Sequence, residues 1–424
     1  MKIIKILPVL LLVLAMSVIP SISGTPQKLN VAEDPAEVGI SGERLARVDR
    51  LMENYIADGK MVNGVVMLGK DGKIFFNKAY GWKNRESGEV LNNDDIFRIA
   101  SMTKSIVLVG LMTLFEEGKF LLDDPLWHYI PEFRNMNVID KFNSDGTYSV
   151  RAAKRPITIR HLLCHSSGIP YETAYNRDSG ISFTSTMDDI TIGELIKKLA
   201  TMPLAHDPGE KYTYGMSVDV IGYLIEVLSG QSLDLFLEER IFKPLGMEDT
   251  YFYLPEEKKH RLVTLYSYNR EGNNFIVSDN YVQQNFAIEG PQKCFLGGAG
   301  LCSTAGDYAK FCQMLLNKGT FNDNSIISPR VIEMMSTINQ LAENDRPSHN
   351  FQFGFGFKIH SVSDAAHTLT SKGGYGWSGM YGTYYRVYPE ENMFIVFMSN
   401  EFPWPDRDRS DELLQVTVFQ SLTE

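Results

Sequence analysis

Phe97-Arg98-Ile99-Ala100-Ser101-Met102-Thr103-Lys104 runs directly into the apolar stretch from Ser105 to Phe115. Ser101 is the only serine in the chain followed by a lysine three residues on. The pattern predicts a helix over Met102–Glu117, with Ser101 at its N-terminus and Lys104 one turn along the same face. That spacing brings an amine within reach of a hydroxyl. The helix dipole and the free N–H groups of the first turn favour negative charge developing on the serine. A serine hydroxyl is a weak nucleophile at its own pKa and needs such help. Ser-x-x-Lys is one of three motifs that together mark a class of serine acyl-transfer enzymes. About one such pair arises by chance in a chain this long, so its companions decide the reading.

The predicted helix is apolar nearly all round (Ile106, Val107, Leu108, Val109, Leu111, Met112, Leu114, Phe115), which predicts burial on most sides. A nucleophile at the start of such a helix is held rigidly. Upstream, Ser41 to Ala57 reads as an amphipathic helix with Leu45, Val48, Leu51, Met52, Tyr55 and Ile56 on one face. Val62–Leu68 and Ile74–Tyr80 read as strands joined around Asp71-Gly72, a hairpin signal. Downstream, Thr158, Thr191 and Ser217 are expected helix N-caps, and Gly230 and Gly246 are stop signals. Thr304 and Asp307 predict a capping box for a helix carrying Tyr308, Phe311 and Leu315. Strands return over Phe353–Ile359, where Phe351, Phe353, Phe355 and Phe357 alternate, then over Met380–Tyr388 and Met393–Ser399. A last helix is expected over Ser410–Ser421. Strands at both ends and helices between predict an α/β fold, an antiparallel sheet flanked by helices with a mostly helical lobe inserted. The boundaries read as 37–98 plus 295–423 for the α/β lobe and 101–290 for the helical lobe, together one domain over 37–423. The site is expected between the lobes.

Lys2 and Lys5, an apolar run from Ile6 to Ile19 and small residues at Ser21, Ser23 and Gly24 follow the order of a secretory signal peptide. At about 14 residues, with Pro8 inside it, the run is short for a membrane span. Residues 1–23 are therefore expected to be a signal peptide and the protein periplasmic or secreted. With 44% hydrophobic and 22% charged residues the chain suits a globular protein with a large core. Its formal charge of −11 argues against nucleic acid or an anionic membrane as partner. Four cysteines, Cys164, Cys294, Cys302 and Cys312, lie scattered, and three disulfide pairings or free buried thiols all remain open.

Two further segments carry chemistry. Tyr212-Thr213-Tyr214-Gly215-Met216 follows His206-Asp207-Pro208-Gly209 and precedes a predicted helix. A tyrosine beside the Ser/Lys pair could relay a proton to a leaving group; alone, Tyr214 reads more readily as a packing aromatic. Gly373-Gly374-Tyr375-Gly376-Trp377-Ser378-Gly379-Met380-Tyr381-Gly382 opens a strand near the C-terminus. Its glycines let a backbone approach a substrate closely, with N–H groups free to face it. One of them, with the N–H of Ser101, could form an oxyanion hole.

These three segments, in this order, resemble the serine β-lactamase and penicillin-binding-protein superfamily, and within it the class C branch and the related family VIII carboxylesterases. Leu122-Asp123-Asp124-Pro125, Thr158 to Leu163 running on to Ser167-Gly168, Pro244 to Met247 and Gly297 to Met314 agree with it. The resemblance spans about residues 37 to 400 and implies a β-lactamase/transpeptidase-like fold. It implies that Ser101 is the nucleophile, Lys104 its proton acceptor and Tyr214 a second proton shuttle. The backbone N–H groups of Ser101 and Met380 would form the oxyanion hole. Trp377, Ser378, Gly379, Met216 and Tyr375 would bind substrate.

Two departures matter. Met216 stands where the lactamase tyrosine motif ends in Asn, and Trp377 where the third motif starts with Lys or His. Both remove polar groups that would hold a β-lactam. A cavity furnished with Met216, Trp377, Tyr375 and Tyr381 is expected to suit apolar acyl or alkyl groups. His161 and His165 are spaced i, i+4, but no His-Glu-x-x-His signature accompanies them and the segment matches a structural stretch of the superfamily. No serine sits in Gly-x-Ser-x-Gly. The resulting expectation is an exported serine carboxylesterase working through an acyl-enzyme on a small-molecule ester, without metal or cofactor. A β-lactamase or D-amino-acid peptidase with the same nucleophile is the alternative, and a penicillin-binding sensor without turnover is a third. Lys104 is expected to have its pKa lowered by burial and a neighbouring positive charge.

Overall fold

Both ends of the chain enter one sheet. β1 (Asn30–Val31), β2 (Asn63–Lys70), β3 (Lys73–Asn84) and β4 (Glu89–Val90) come from the N-terminal part. β5 (Gln352–Phe353), β6 (Lys358–Ile359), β7 (Tyr375–Ser378), β8 (Tyr384–Tyr388) and β9 (Met393–Met398) come from the C-terminal part. In this computed structural model, which describes residues 29–144, 147–171, 181 and 183–423, the order is β1-β3-β2-β9-β8-β7-β6-β5, with β4 on β3. Only β1 and β3 pair in parallel. The β2–β9 ladder, from Val65↔Met398 to Lys70↔Met393, joins the two ends of the chain. Asp71 and Gly72, at φ 51° and 76°, make the β2–β3 turn that the sequence signals. The expected signal segment 1–23 lies outside the described residues.

The six helices that matter here are α1 (Gly42–Ala57), α2 (Thr103–Glu116), α3 (Ser217–Ser229), α4 (Ala305–Leu316), α5 (Val362–Thr368) and α6 (Arg407–Phe419). β9 shows how they are layered, because successive side chains of a strand leave by opposite faces. Met393, Ile395 and Phe397 join Val48 and Met52 of α1 and Leu414 and Val418 of α6 in one core cluster. Phe394, Val396 and Met398 join α2, α3 and α4 in the other. β9 is thus buried on both faces, which explains why it is apolar without alternation.

The stretch between residues 101 and 290 is largely helical but holds two hairpins, Asn137–Phe142 with Tyr148–Ala152 and Tyr266–Asn269 with Asn274–Val277. Tyr266 and Phe275 of the second pack in the cluster under α1 and α6. The sheet also begins at Asn30, ahead of residue 37. The boundaries read from the sequence are therefore crossed at both places. Thr158 and Thr191 cap helices with reciprocal side-chain bonds, and Gly230 and Gly246 end helices in the left-handed conformation. Ser217, however, is the first residue of α3 rather than its cap; its hydroxyl is turned to Ser167 Oγ at 2.8 Å. Thr304 caps α4, while Asp307 turns away to the Asp249 N–H and Thr250.

Two expected strands are broken. Phe353–Ile359 is not one strand: the chain reverses between β5 and β6, and Gly356 at φ 89° provides the turn. Phe355, whose N–H donates to the Met335 carbonyl at 3.0 Å, is consequently buried along with Phe353 and Phe357. Met380–Tyr388 likewise begins as a turn, with Gly382 at φ 90°, and β8 starts at Tyr384. All four cysteines are free and buried.

Phe394 packs its ring against Gly69 across the β2–β9 ladder, where a Cβ would come within 2.3 Å of it. Phe394→Ala empties that space and should lower stability by about 3–5 kcal/mol. Urea unfolding followed by circular dichroism measures it, and a loss below about 1 kcal/mol would show that the two halves of the sheet do not depend on this contact.

Candidate active site

α2 enters the core without a polar face: every residue from Thr103 to Leu114 is buried. A short 3-10 turn, Ala100–Met102, precedes it and carries Ser101. Ala100 has φ 42°, a left-handed conformation that costs a residue with a side chain of order 1 kcal/mol and is held by the surrounding packing. The strain lies one residue before the candidate nucleophile, as at other sharply turned active-site residues.

The Lys104 amine makes three hydrogen bonds: to Ser101 Oγ at 3.2 Å, to Tyr171 Oη at 2.8 Å and to the Gly298 carbonyl at 2.5 Å. It also lies 4.7 Å above the Tyr214 ring centre and 5.5 Å above that of Tyr171. Burial by itself drives Lys104 towards the neutral amine, but Tyr171, Tyr214 and Asp219 hold its proton, and its pKa lies above the ordinary lysine range. This corrects the expectation of a lowered pKa: the neighbours are two phenols and a carboxylate, not a cation. Burial raises Tyr171 as well, against the pull of the Lys104 charge.

Tyr214 stands among aromatic rings. His165 lies 4.8 Å from it, Trp377 5.5 Å and Tyr171 5.6 Å, and the Trp377 indole N–H donates to its hydroxyl at 3.1 Å. Gly215 lets this strand of chain press on Ile169 and Pro170, whose backbone leaves no room for a Cβ. His165 follows the helix Ile159–Leu163 at φ 55°, so His161 and His165 do not share a helix face. Its ring is fully buried, and burial followed by the Lys104 charge keeps it neutral, far below the usual histidine range.

The third segment meets the first through glycine. A Cβ on Gly379 would lie 2.4 Å from the Ile99 carbonyl and 2.2 Å from Thr383 Oγ1. Thr383 Oγ1 itself donates to Ile99 at 3.3 Å, and the Gly379 N–H donates to the Thr383 carbonyl at 2.7 Å. Met380 is thereby set beside the Ser101 turn. Arg386 holds the same strand from β8, donating to the Trp377 carbonyl at 3.0 Å and Ser378 Oγ at 3.2 Å while pairing with Asp411 of α6.

Ser101, Tyr214, Trp377, Ser378, Gly379 and Met380 line one cavity of about 560 Å³. Met216, Tyr375 and Tyr381 do not. Met216 is buried in the core at the start of α3, Tyr375 packs on Phe357 two residues up the strand from Trp377, and Tyr381 packs on Ala100 and Leu265. The expected apolar furnishing is corrected accordingly. The far wall is charged, with Lys358 paired to Asp364 at 2.9 Å and Arg407 to Asp408 at 2.8 Å. These groups come from β6, α5 and α6, and nothing local in the sequence marks them. Tyr171 and Asp219 were also missed; the former follows the noted Ser167-Gly168 stretch, the latter lies one helical turn beyond Met216.

A hydroxyl beside a buried amine, phenols within reach of that amine and a glycine-bearing strand abutting the hydroxyl form a constellation suited to acyl transfer. The Beta-lactamase family model matches residues 48–418. The chain belongs to the beta-lactamase family. It is a serine hydrolase of that family with its β-lactamase/transpeptidase-like fold. Among its relatives, esterase EstB of Burkholderia gladioli is 27% identical over 387 residues, 87% of this chain and 93% of that one. An Escherichia coli K12 protein assigned as a D-alanyl-D-alanine carboxypeptidase is 26% identical over 423 residues, 95% of this chain and 92% of that one. The solved structure of EstCE1, a hydrolase with promiscuous acyltransferase activity, superposes with a TM-score of 0.75 at 23% identity, over 89% of this chain and 99% of that one.

Gly379→Ala should force β7 away from the Ser101 turn and cut kcat for an ester by about 10²-fold or more, the usual size of a lost oxyanion donor. Steady-state hydrolysis of a nitrophenyl ester measures this. A rate within a factor of a few of wild type would remove the segment from the chemistry.

Proposed function

We propose that the protein is an exported carboxylesterase in which an ester acylates Ser101 and water then releases the acid. The observation that carries this reading is the Trp377 indole donating to the Tyr214 hydroxyl. The indole stands where the lactamases place Lys or His, and Met216, where they place Asn, is buried in the core. A β-lactam carboxylate and side-chain amide would find neither cation nor amide at those positions. The likeness to EstB supports the same reading. Export rests on the charged, apolar and small residues in sequence over 1–24.

In this mechanism Ser101 Oγ attacks the ester carbonyl, and its proton passes to the cluster of Lys104, Tyr171 and Tyr214. The N–H groups of Ser101 and Met380 receive the oxyanion. The proton then goes to the departing alkoxide through Tyr214, and water repeats the sequence on the acyl-enzyme. The charged far wall suits a polar substituent on the acid or the alcohol. That same wall favours a second reading, a peptidase acting on D-amino-acid amides, whose termini carry charge.

Wild type and Ser101→Ala, compared on short nitrophenyl esters, a chromogenic cephalosporin and a D-alanyl-D-alanine peptide, decide between them. The expected result is ester turnover lost in the variant, with little cleavage of the other two. Faster peptide turnover than ester turnover would move the assignment to peptidase, and activity surviving in Ser101→Ala would overturn both. The pair of Lys104 and Tyr171, bonded to each other, titrates as a unit. Because its lysine is held above the ordinary range, the competent form, one proton short, is scarce at neutral pH and grows as pH rises. The kcat/KM for an uncharged ester should therefore climb from neutral into alkaline solution, and a profile flat across that range would remove the cluster as base.

A further inference from the structure

We propose that Asp219 is a positioning residue for the reaction: it holds Gly298, whose carbonyl aims Lys104, and its carboxylate faces the ammonium through space. The inference rests on the acyl-enzyme role proposed for Ser101 and Lys104. Asp219 lies in the first turn of α3 and is buried to 3% exposure. Its Oδ1 accepts the Gly298 N–H at 2.9 Å, and the Gly298 carbonyl accepts the Lys104 amine at 2.5 Å. One residue is thus held from one side by the carboxylate and grips the lysine with the other. Only glycine allows it: a Cβ at 298 would lie 2.5 Å from Asp219 Oδ2. Gly297 fits equally closely, its Cβ position lying 2.6 Å from the Val218 carbonyl, so both glycines are moulded to the start of α3.

Nothing in the stability of the fold calls for a carboxylate here. A buried carboxylate costs free energy unless it is well paired, and a neutral acceptor would satisfy the Gly298 N–H as well. What a carboxylate adds is charge, directed at the Lys104 ammonium.

The groups facing Lys104 are Ser101 from its own turn, His165 and Tyr171 from the segment after the helix Ile159–Leu163, Tyr214, the Gly298 carbonyl and Asp219. His165 is neutral, Tyr171 bonds the amine directly, and Tyr214 presents its ring to it. Asp219 is the facing carboxyl group. Burial raises its own pKa above the ordinary carboxylate value, and the Lys104 ammonium and the Gly298 N–H oppose that rise.

Removing the charge should let the cluster give up its proton more readily. In the full chain, Asp219→Asn keeps an acceptor for the Gly298 N–H, removes the charge and replaces the second oxygen by an NH2 group of similar size. The acid limb of kcat/KM for a neutral nitrophenyl ester is then expected to move about one pH unit lower, about tenfold more of the competent form at a pH on that limb. An unmoved limb would overturn the proposal, whatever happens to the plateau rate, because a purely structural role would lower the rate without displacing it. If Asp219→Asn does not fold by circular dichroism, Gly298→Ala, whose methyl displaces the carboxylate, is read the same way. Labelling by a fluorophosphonate separates the two levels of inference. Labelling at Ser101 with an unmoved limb refutes Asp219 alone, whereas absence of labelling at Ser101 refutes the acyl-enzyme reading beneath it.

Discussion

A primary amine inside a core must be either neutral or surrounded by acceptors, and the structure around Lys104 is organised by that requirement. α2 is buried from Thr103 to Leu114, so the amine cannot reach water along the helix. Acceptors have to be brought to it from elsewhere: Tyr171 from the loop after residue 163, the Tyr214 ring from the segment before α3, and the Gly298 carbonyl from the loop before α4. Three remote parts of the chain therefore converge on one nitrogen. Each is locked by its own constraint, and a lesion in any of them would be felt at the amine.

The second convergence is between backbones. Ile99 and Gly379 touch so closely that no other residue fits at 379, and Thr383 and Arg386 hold the strand on either side of that contact. Behind it lies the β2–β9 ladder, which unites the N-terminal and C-terminal parts in one sheet. Hydrophobic layering sets the distance between Ser101 and the end of β7, and hydrogen bonds set the angle. Precise chemistry on a serine needs both, since a misplacement of about 1 Å can cost 10²-fold in rate.

The cavity itself is divided. Its inner wall is aromatic, with Tyr214 and Trp377 joined by a hydrogen bond, and its outer wall is a set of ion pairs carried by β6, α5 and α6. Charges that are already paired do not impose one sign on a substrate; they favour polar groups generally over long alkyl chains. The size of the cavity, about 560 Å³, is in the range of ordinary small-molecule sites.

Local signals were enough for a good part of this. The period of α1, the Asp71-Gly72 turn, the caps at Thr158 and Thr191 and the all-round apolar α2 are properties of short stretches, and each is where the pattern puts it. The three motifs were legible for the same reason: each is a contiguous run whose residue types suit a particular task. Where local reading failed, distance was the cause. Phe353–Ile359 looks like a strand because four phenylalanines alternate, yet Gly356 turns the chain there and all but Phe351 are buried together. Tyr375 looks like part of the site because it neighbours Trp377, yet it packs under Phe357. The sign of the shift at Lys104 could not be read from residues beside it in the chain, because it depends on Tyr171, Tyr214 and Asp219, brought in from 67, 110 and 115 positions away. The sequence by itself determined the nucleophile candidate, the helix that carries it and the family; folding alone decided which charges and phenols surround the amine, because electrostatics acts through space and not along the chain.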